Sequence, residues 1–187
     1  RVRVTYTSGP GPLGSERGPG PMTLAVVVMP GKAWPPTTTI AVPPWARNER
    51  SPLAGLKTTS YGENAVMLAW AKERGFSEAV MSNLAGDLCE GTGSNVFVVI
   101  DDEIITPTLE SGCLNGITRQ LVLEWTGAAE KALPVQTPDP AAEVFITSST
   151  RDVHTVVAVG DRTLAAGPVT QRVSAAFAER SAADVDP

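Results

Sequence analysis

Three short stretches between Lys57 and Arg119 carry groups that can do chemistry together: LKTTSYGEN around Lys57, LCEGTGSNVF around Glu90, and GCLNGITRQ around Gly116. A lysine amine is a nucleophile only while part of it is neutral, so its ordinary pKa of about 10.4 must fall through burial or cationic neighbours. Lys57 stands among Gly55, Leu56, Thr58, Thr59 and Ser60, a small and uncharged setting, whereas Lys72 is followed by Glu73 and Arg74. Glu90 lies between Leu88-Cys89 and the run Gly91-Thr92-Gly93-Ser94-Asn95. A carboxylate there can hydrogen-bond a ring nitrogen and keep it protonated, or can simply end a strand. In Asn115-Gly116-Ile117-Thr118-Arg119 a glycine precedes a helix, leaving the N–H groups of Ile117 and Thr118 as unpaired donors at the positive end of the helix dipole. A phosphate group fits such a place, which equally describes an ordinary helix cap. Ser148, Ser149 and Thr150 follow a strand and offer further hydroxyl and N–H donors, or form a serine/threonine turn.

The elements that must position these groups are read from periodicity. RVRVTYT (1–7) alternates as a half-buried strand does, and MTLAVVVMP (22–30) reads as a buried one. Between them Gly9, Gly11 and Gly14 match G-x-G-x-x-G, but Pro10, Pro12, Pro19 and Pro21 forbid the helix that a dinucleotide site requires. TTTIAVP (37–43) is a third strand. From Gly62 the period becomes helical, with Ala65, Leu68 and Ala69 on one face and Gly75 as the stop, so Lys57 lies just ahead of a helix. EAVMSN (78–83), DLCEGT (87–92), NVFVVI (95–100) and EIIT (103–106) read as strands of an antiparallel meander, the first two joined at Gly86. A short helix over Gly116–Trp125, strands EVFIT (143–147) and TVVAV (155–159), and an amphipathic helix over Pro168–Arg180 complete a strand-rich α+β chain.

Composition narrows the function classes. With 187 residues, 42% hydrophobic and 19% charged, the chain can bury a proper core. A formal charge of -5 and a pI near 4.9 speak against nucleic acid or an anionic membrane as partner, since both attract basic patches. No uninterrupted apolar run reaches the roughly 18 residues of a spanning helix, and no signal-peptide pattern opens the chain. A soluble, cytoplasmic protein is expected. Cys89 and Cys113 are the only cysteines and sit in unrelated contexts, as small thiols of a reducing compartment do. His154 is the sole histidine and reads as structural, so no metal site is expected.

Taken in order, the lysine before a helix, E-G-T-G-S-N-V-F, L-N-G-I-T-R and E-V-F-I-T-S-S-T resemble the fold-type IV pyridoxal-phosphate family. Its members are the branched-chain and D-amino-acid aminotransferases and 4-amino-4-deoxychorismate lyase. The resemblance runs from Arg1 to about Arg180. It implies the large C-terminal domain of those enzymes, an α+β fold with a mixed, mainly antiparallel sheet or pseudo-barrel flanked by helices. Residues 1–187 would form one cofactor-binding domain, with 1–50 on the interdomain side and 51–180 as the site core. Pyridoxal 5'-phosphate would be the cofactor, Lys57 its Schiff-base lysine and Glu90 the partner of the pyridine nitrogen. Tyr61 would donate to the ring hydroxyl, and Ile117, Thr118, Ser148 and Ser149 would bind the phosphate. A small-molecule substrate and a homodimer are implied as well.

Within the family, TYTSGPGPLGSERG, WARNERSPLAGLKTTSYGEN and TSSTRDV are most similar to actinobacterial aminodeoxychorismate lyases of the folate pathway, while GPVT at 167–170 is shared with the branched-chain transaminases. Arg151 would be placed to face a substrate carboxylate. The family's small N-terminal α/β domain, which supplies one phosphate-binding arginine, has no counterpart here. The chain opens with Arg-Val-Arg-Val inside a strand and reads as a fragment. An aminotransferase and a non-catalytic remnant are the competing expectations.

Overall fold

The computed structural model describes residues 1–184, which fall into two units divided between Trp34 and Pro35. The first unit is an antiparallel hairpin of β1 (Val2–Thr7) and β2 (Thr23–Val28), joined by a Gly/Pro loop that contains no helix. Val2 faces Val28, Val4 faces Val26 and Tyr6 faces Leu24, so one face of the ribbon is apolar. All six residues are more than half exposed. The expected half-burial of β1 and burial of β2 therefore do not occur. The two strands pair only with each other, and a two-stranded ribbon has no second layer in its own unit.

The second unit holds a nine-stranded mixed sheet that curls into a half-barrel. Its strands are β3 (Thr37–Ala41), β4 (Glu78–Ser82), β5 (Leu88–Gly91), β6 (Asn95–Ile100), β7 (Glu103–Thr106), β8 (Ala129–Glu130), β9 (Glu143–Ser148), β10 (Asp152–Val159) and β11 (Arg162–Thr163). The order is β5-β4-β3-β10-β9-β6-β7-β8, with β11 on β10. Most neighbours are antiparallel, while β3 runs parallel to β4 and β10, and β7 parallel to β8. The sequence places the long strands but not their neighbours. β5 and β6 do not pair as a meander requires; β6 lies between β7 and β9. The two-residue strands β8 and β11 are too short to carry a periodic signal.

NVFVVI is apolar throughout because both faces of β6 are covered. Val96 and Val98 join Ile40, Val80, Val144, Ile146 and Val156 on one face. Phe97 and Val99 join Phe145 on the other, under Val122 of helix α2 (Ile117–Thr126) and Val173 and Phe177 of helix α3 (Pro168–Ala183). The Phe97 and Phe145 rings stack with centroids 4.7 Å apart. Helix α1 (Gly62–Glu73) turns Asn64, Met67 and Ala71 inward, against Ala79 and Met81 of β4. The expected face of Ala65, Leu68 and Ala69 is wrong, because the Asn64 amide donates to the Thr92 carbonyl (2.8 Å) and sets the rotation of the helix. Helix α3 begins at Pro168, with its Val169 and Thr170 N–H groups donating to the Glu143 carboxylate at 3.0 and 2.6 Å. Any side chain at Gly167 would overlap that carboxyl group.

The stacked pair sits at the centre of the sheet with both rings fully buried, so truncating one leaves a cavity. Phe97→Ala is expected to lower unfolding free energy by about 3–5 kcal/mol, measured by urea denaturation. A loss below about 1 kcal/mol would mean that the ring is not part of the packed core.

Candidate active site

One open cavity of about 710 Å³ in the second unit collects groups from every expected stretch. Lys57, Tyr61, Glu90, Ile117, Thr118, Ser148 and Ser149 all line it. Lys57 lies on the turn before α1, exposed, and its Nζ donates to the Tyr61 hydroxyl at 3.2 Å. Tyr61 is the residue from which α1 starts, and the turn ahead of that helix brings the Lys57 amine to its phenol.

Glu90 is buried on β5, and its two oxygens have separate partners. Oε1 pairs with the Arg47 guanidinium at 2.9 Å, and Oε2 accepts the Leu114 N–H at 2.9 Å. Burial pushes the carboxyl above its ordinary pKa, while the Leu114 N–H, Arg47 and then Lys57 oppose that rise. Arg47 is held by its backbone, whose N–H donates to the Ser82 carbonyl (2.8 Å) in a parallel bridge with Asn83 beyond the end of β4. Spacing alone offers no signal for Arg47, which lies far from Glu90 in sequence.

The Leu114 peptide is clamped on both sides. Its N–H goes to Glu90, and its carbonyl accepts the Asn95 amide at 2.7 Å and the Gly116 N–H at 2.9 Å. This delivers the chain into α2 at a fixed angle. No side chain caps the N-terminus of α2, and a Cβ at Gly116 would lie 2.3 Å from the Asn95 Oδ1, so any larger residue requires the Asn95 amide to shift. Buried Arg119 fixes the same turn, donating to Asn115 Oδ1 (3.2 Å) and the Pro107 carbonyl (2.8 Å) and pairing with Glu130. Paired with Asn95 across the sheet, Thr147 lines the cavity with its hydroxyl buried and without a partner in the protein. Ser148, Ser149 and Thr150 continue the wall. An uncapped helix start, an unpartnered hydroxyl and a serine/threonine turn form a donor set suited to a phosphate, and on the same cavity a lysine and a buried carboxylate suit an aldehyde-bearing pyridine ring.

Arg151 does not face the cavity. Its guanidinium turns inward to Glu78 (3.3 Å), Thr38 Oγ1 (3.5 Å) and His154 Nδ1 (3.3 Å), which corrects the expectation of a substrate-facing arginine. His154 Nε2 lies 2.8 Å from the Pro35 carbonyl, so that nitrogen carries the proton and Nδ1 accepts from Arg151. Burial lowers the His154 pKa, as a structural, neutral imidazole requires. Among the described residues no group of three or more His, Cys, Asp or Glu is placed to hold a metal ion, and no helix is long and apolar enough to cross a membrane.

A curled mixed sheet that gathers a lysine, a buried carboxylate and a helix N-terminus around one cavity defines the fold-type IV class of pyridoxal-phosphate enzymes. Within that class the chain belongs to the amino-transferase class IV family, whose model matches residues 1–159. A probable branched-chain-amino-acid aminotransferase of Synechocystis is 37% identical over 139 residues, 69% of this chain and 45% of that protein. D-alanine aminotransferase of Bacillus licheniformis is 34% identical over 130 residues, 65% of this chain and 46% of that protein. The chain thus spans about half the length of the curated relatives it matches. Among solved structures, an aminotransferase from Brucella abortus bound to the cofactor PLP matches with TM-score 0.83 and 28% identity, over 97% of this chain and 68% of that one. A putative 4-amino-4-deoxychorismate lyase from Legionella pneumophila matches with TM-score 0.89 at 22% identity over 95% of this chain and 69% of that one, a likeness of fold. The cofactor of this family is pyridoxal 5'-phosphate, and the cavity's donors fit it.

The burial that surrounds Glu90 also pushes the thiols of Cys89 and Cys113 upward, away from the reactive thiolate. Both are expected to resist an aromatic disulfide reagent at pH 8 in the folded protein and to react within seconds in guanidinium chloride. Fast labelling of either one under native conditions would contradict their burial.

Proposed function

We propose that this chain is the cofactor-binding part of an enzyme that removes a proton from the amine-bearing carbon of a small substrate, with Lys57 as the base. The observation that carries the proposal is the meeting of Lys57 and Glu90, from separate elements, on one cavity whose remaining wall is a phosphate-type donor set. Pyridoxal phosphate supplies an electron sink for the negative charge left on that carbon. Lys57 would hold the cofactor covalently and, with its amine free, take the proton at Nζ; Tyr61 orients that amine through their 3.2 Å hydrogen bond. Glu90, held by Arg47 and the Leu114 N–H, would keep a proton on the ring nitrogen. The Ile117 and Thr118 N–H groups, with Ser148 and Ser149, would hold the phosphate. Borohydride treatment of the cofactor-loaded protein is expected to fix the label on Lys57. Peptide mapping that found it on Lys32, Lys72 or Lys131 would overturn the assignment.

For the substrate we assign 4-amino-4-deoxychorismate, split to pyruvate and 4-aminobenzoate, with Lys57 also assisting pyruvate's departure. The similarity of the segments around Gly11, Lys57 and Thr150 to aminodeoxychorismate lyases supports this. A second reading is amino transfer from a branched-chain or D-amino acid, supported by the names of the relatives at 37% and 34% identity. Family resemblance supports a homodimer in either case. A single-substrate incubation separates the two. The lyase is expected to release pyruvate and 4-aminobenzoate in equal amounts without any keto acid. Absence of pyruvate, together with a half-reaction on a branched-chain or D-amino acid that stalls until a keto acid is added, would establish the transaminase instead.

A further inference from the structure

Glu78 is a buried carboxylate that the chemistry above does not use. It opens β4, is 2% exposed and does not line the cavity. Oε1 accepts the Ala79 N–H (3.2 Å), the Thr92 N–H (3.2 Å) and the Thr92 hydroxyl. Oε2 accepts the Ser94 hydroxyl (3.4 Å) and the Arg151 guanidinium (3.3 Å). Thr92 and Ser94 are cavity wall, and the Thr92 carbonyl holds Asn64 of α1. Arg151 closes the other wall, since its N–H donates to the Ser148 carbonyl at 3.0 Å across Ser149 and Thr150. The residue after it, Asp152, is in the left-handed region at φ 52°, so the chain turns sharply where the guanidinium goes inward.

We infer that Glu78 and Arg151 are positioning residues, which lock the Ser148–Thr150 turn to the Thr92–Ser94 wall so that the turn's donors meet the cofactor phosphate at a fixed spacing. The inference rests on the proposed function for the identity of the ligand. The turn itself has only small polar side chains, half-buried at Ser148 and exposed at Ser149 and Thr150, so packing does little to hold it. A buried ion pair whose carboxylate oxygens are both hydrogen-bonded can, and its geometry is specific. Arg151 uses both terminal nitrogens: Nη2 reaches Glu78, while Nη1 reaches Thr38 and His154 on β3 and β10. The turn is thereby referred to three strands of the sheet.

The test compares binding of pyridoxal phosphate with binding of pyridoxal, which lacks the phosphate, by equilibrium dialysis on wild type and on the Glu78→Gln/Arg151→Met double variant. Removing both partners avoids leaving one buried charge alone. The preference for the phosphorylated form is expected to fall about tenfold, with pyridoxal affinity changed less than about twofold. An unchanged preference in the folded double variant, or equal losses for both ligands, would overturn the inference. Should the double variant fail to fold, Arg151→Lys keeps the charge but loses the fork, and a preference equal to wild type's would overturn it as well. Wild type that binds neither ligand would instead refute the cofactor reading on which the inference stands.

Discussion

The antiparallel register of β6 and β9 is the constraint on which the rest of the second unit depends. On one face it sets Asn95 opposite Thr147, Phe97 opposite Phe145, and Val99 opposite Glu143. The first pair reaches the cavity and the approach to α2, the middle pair stacks in the core, and Glu143 at the far end receives the start of α3. A slip of one residue would turn all three pairs to the other face. The aromatic stack makes such a slip expensive, so a purely apolar contact in the core fixes polar groups at both ends of the sheet.

Away from that core, buried carboxylates rather than apolar surface hold the loops and helix starts in place. Much of the cavity's wall is turns of glycine, serine, threonine and asparagine, which have little area to bury. Glu90 clamps the loop into α2, Glu78 ties two turns, and Glu143 seats α3. Each accepts backbone N–H groups, and two also face a guanidinium. Such pairs add little net stability over an apolar core, because desolvation offsets their attraction. What they provide is a single arrangement of groups that would otherwise be mobile.

The sequence made strand and helix boundaries legible where β-branched runs or helix stops were strong, as in NVFVVI, EVFIT and Gly75. The cavity was legible because turns rich in glycine, serine and threonine stand out, and the residues around Lys57, Glu90, Gly116 and Ser148 do line one space. Strand neighbours were not legible, since β6 finds β9 across intervening helix and loop, and pairing of that kind leaves no local pattern. The inward face of α1 was misread because its anchor is polar: Asn64 is buried for a hydrogen bond, while the alanines that suggested a face carry little apolar area. Arg47 and Glu78 escaped for a related reason. Ion pairs between residues distant in sequence have no spacing to recognise.

The sheet order also bears on how the chain reaches this state. The hairpin of β6 and β7 is local and closes through Asp101 and Asp102, both left-handed as a tight two-residue turn requires, so it can form early. The pairing of β3 with β10 joins opposite ends of the unit's sequence, and loop-closure entropy places it late and slow. Thr38 waits on that step, and with it the contact of its hydroxyl with the Arg151 guanidinium. A pyridoxal ligand therefore meets its site only in a nearly finished fold, where it can slow unfolding by mass action but cannot template the first stages of folding.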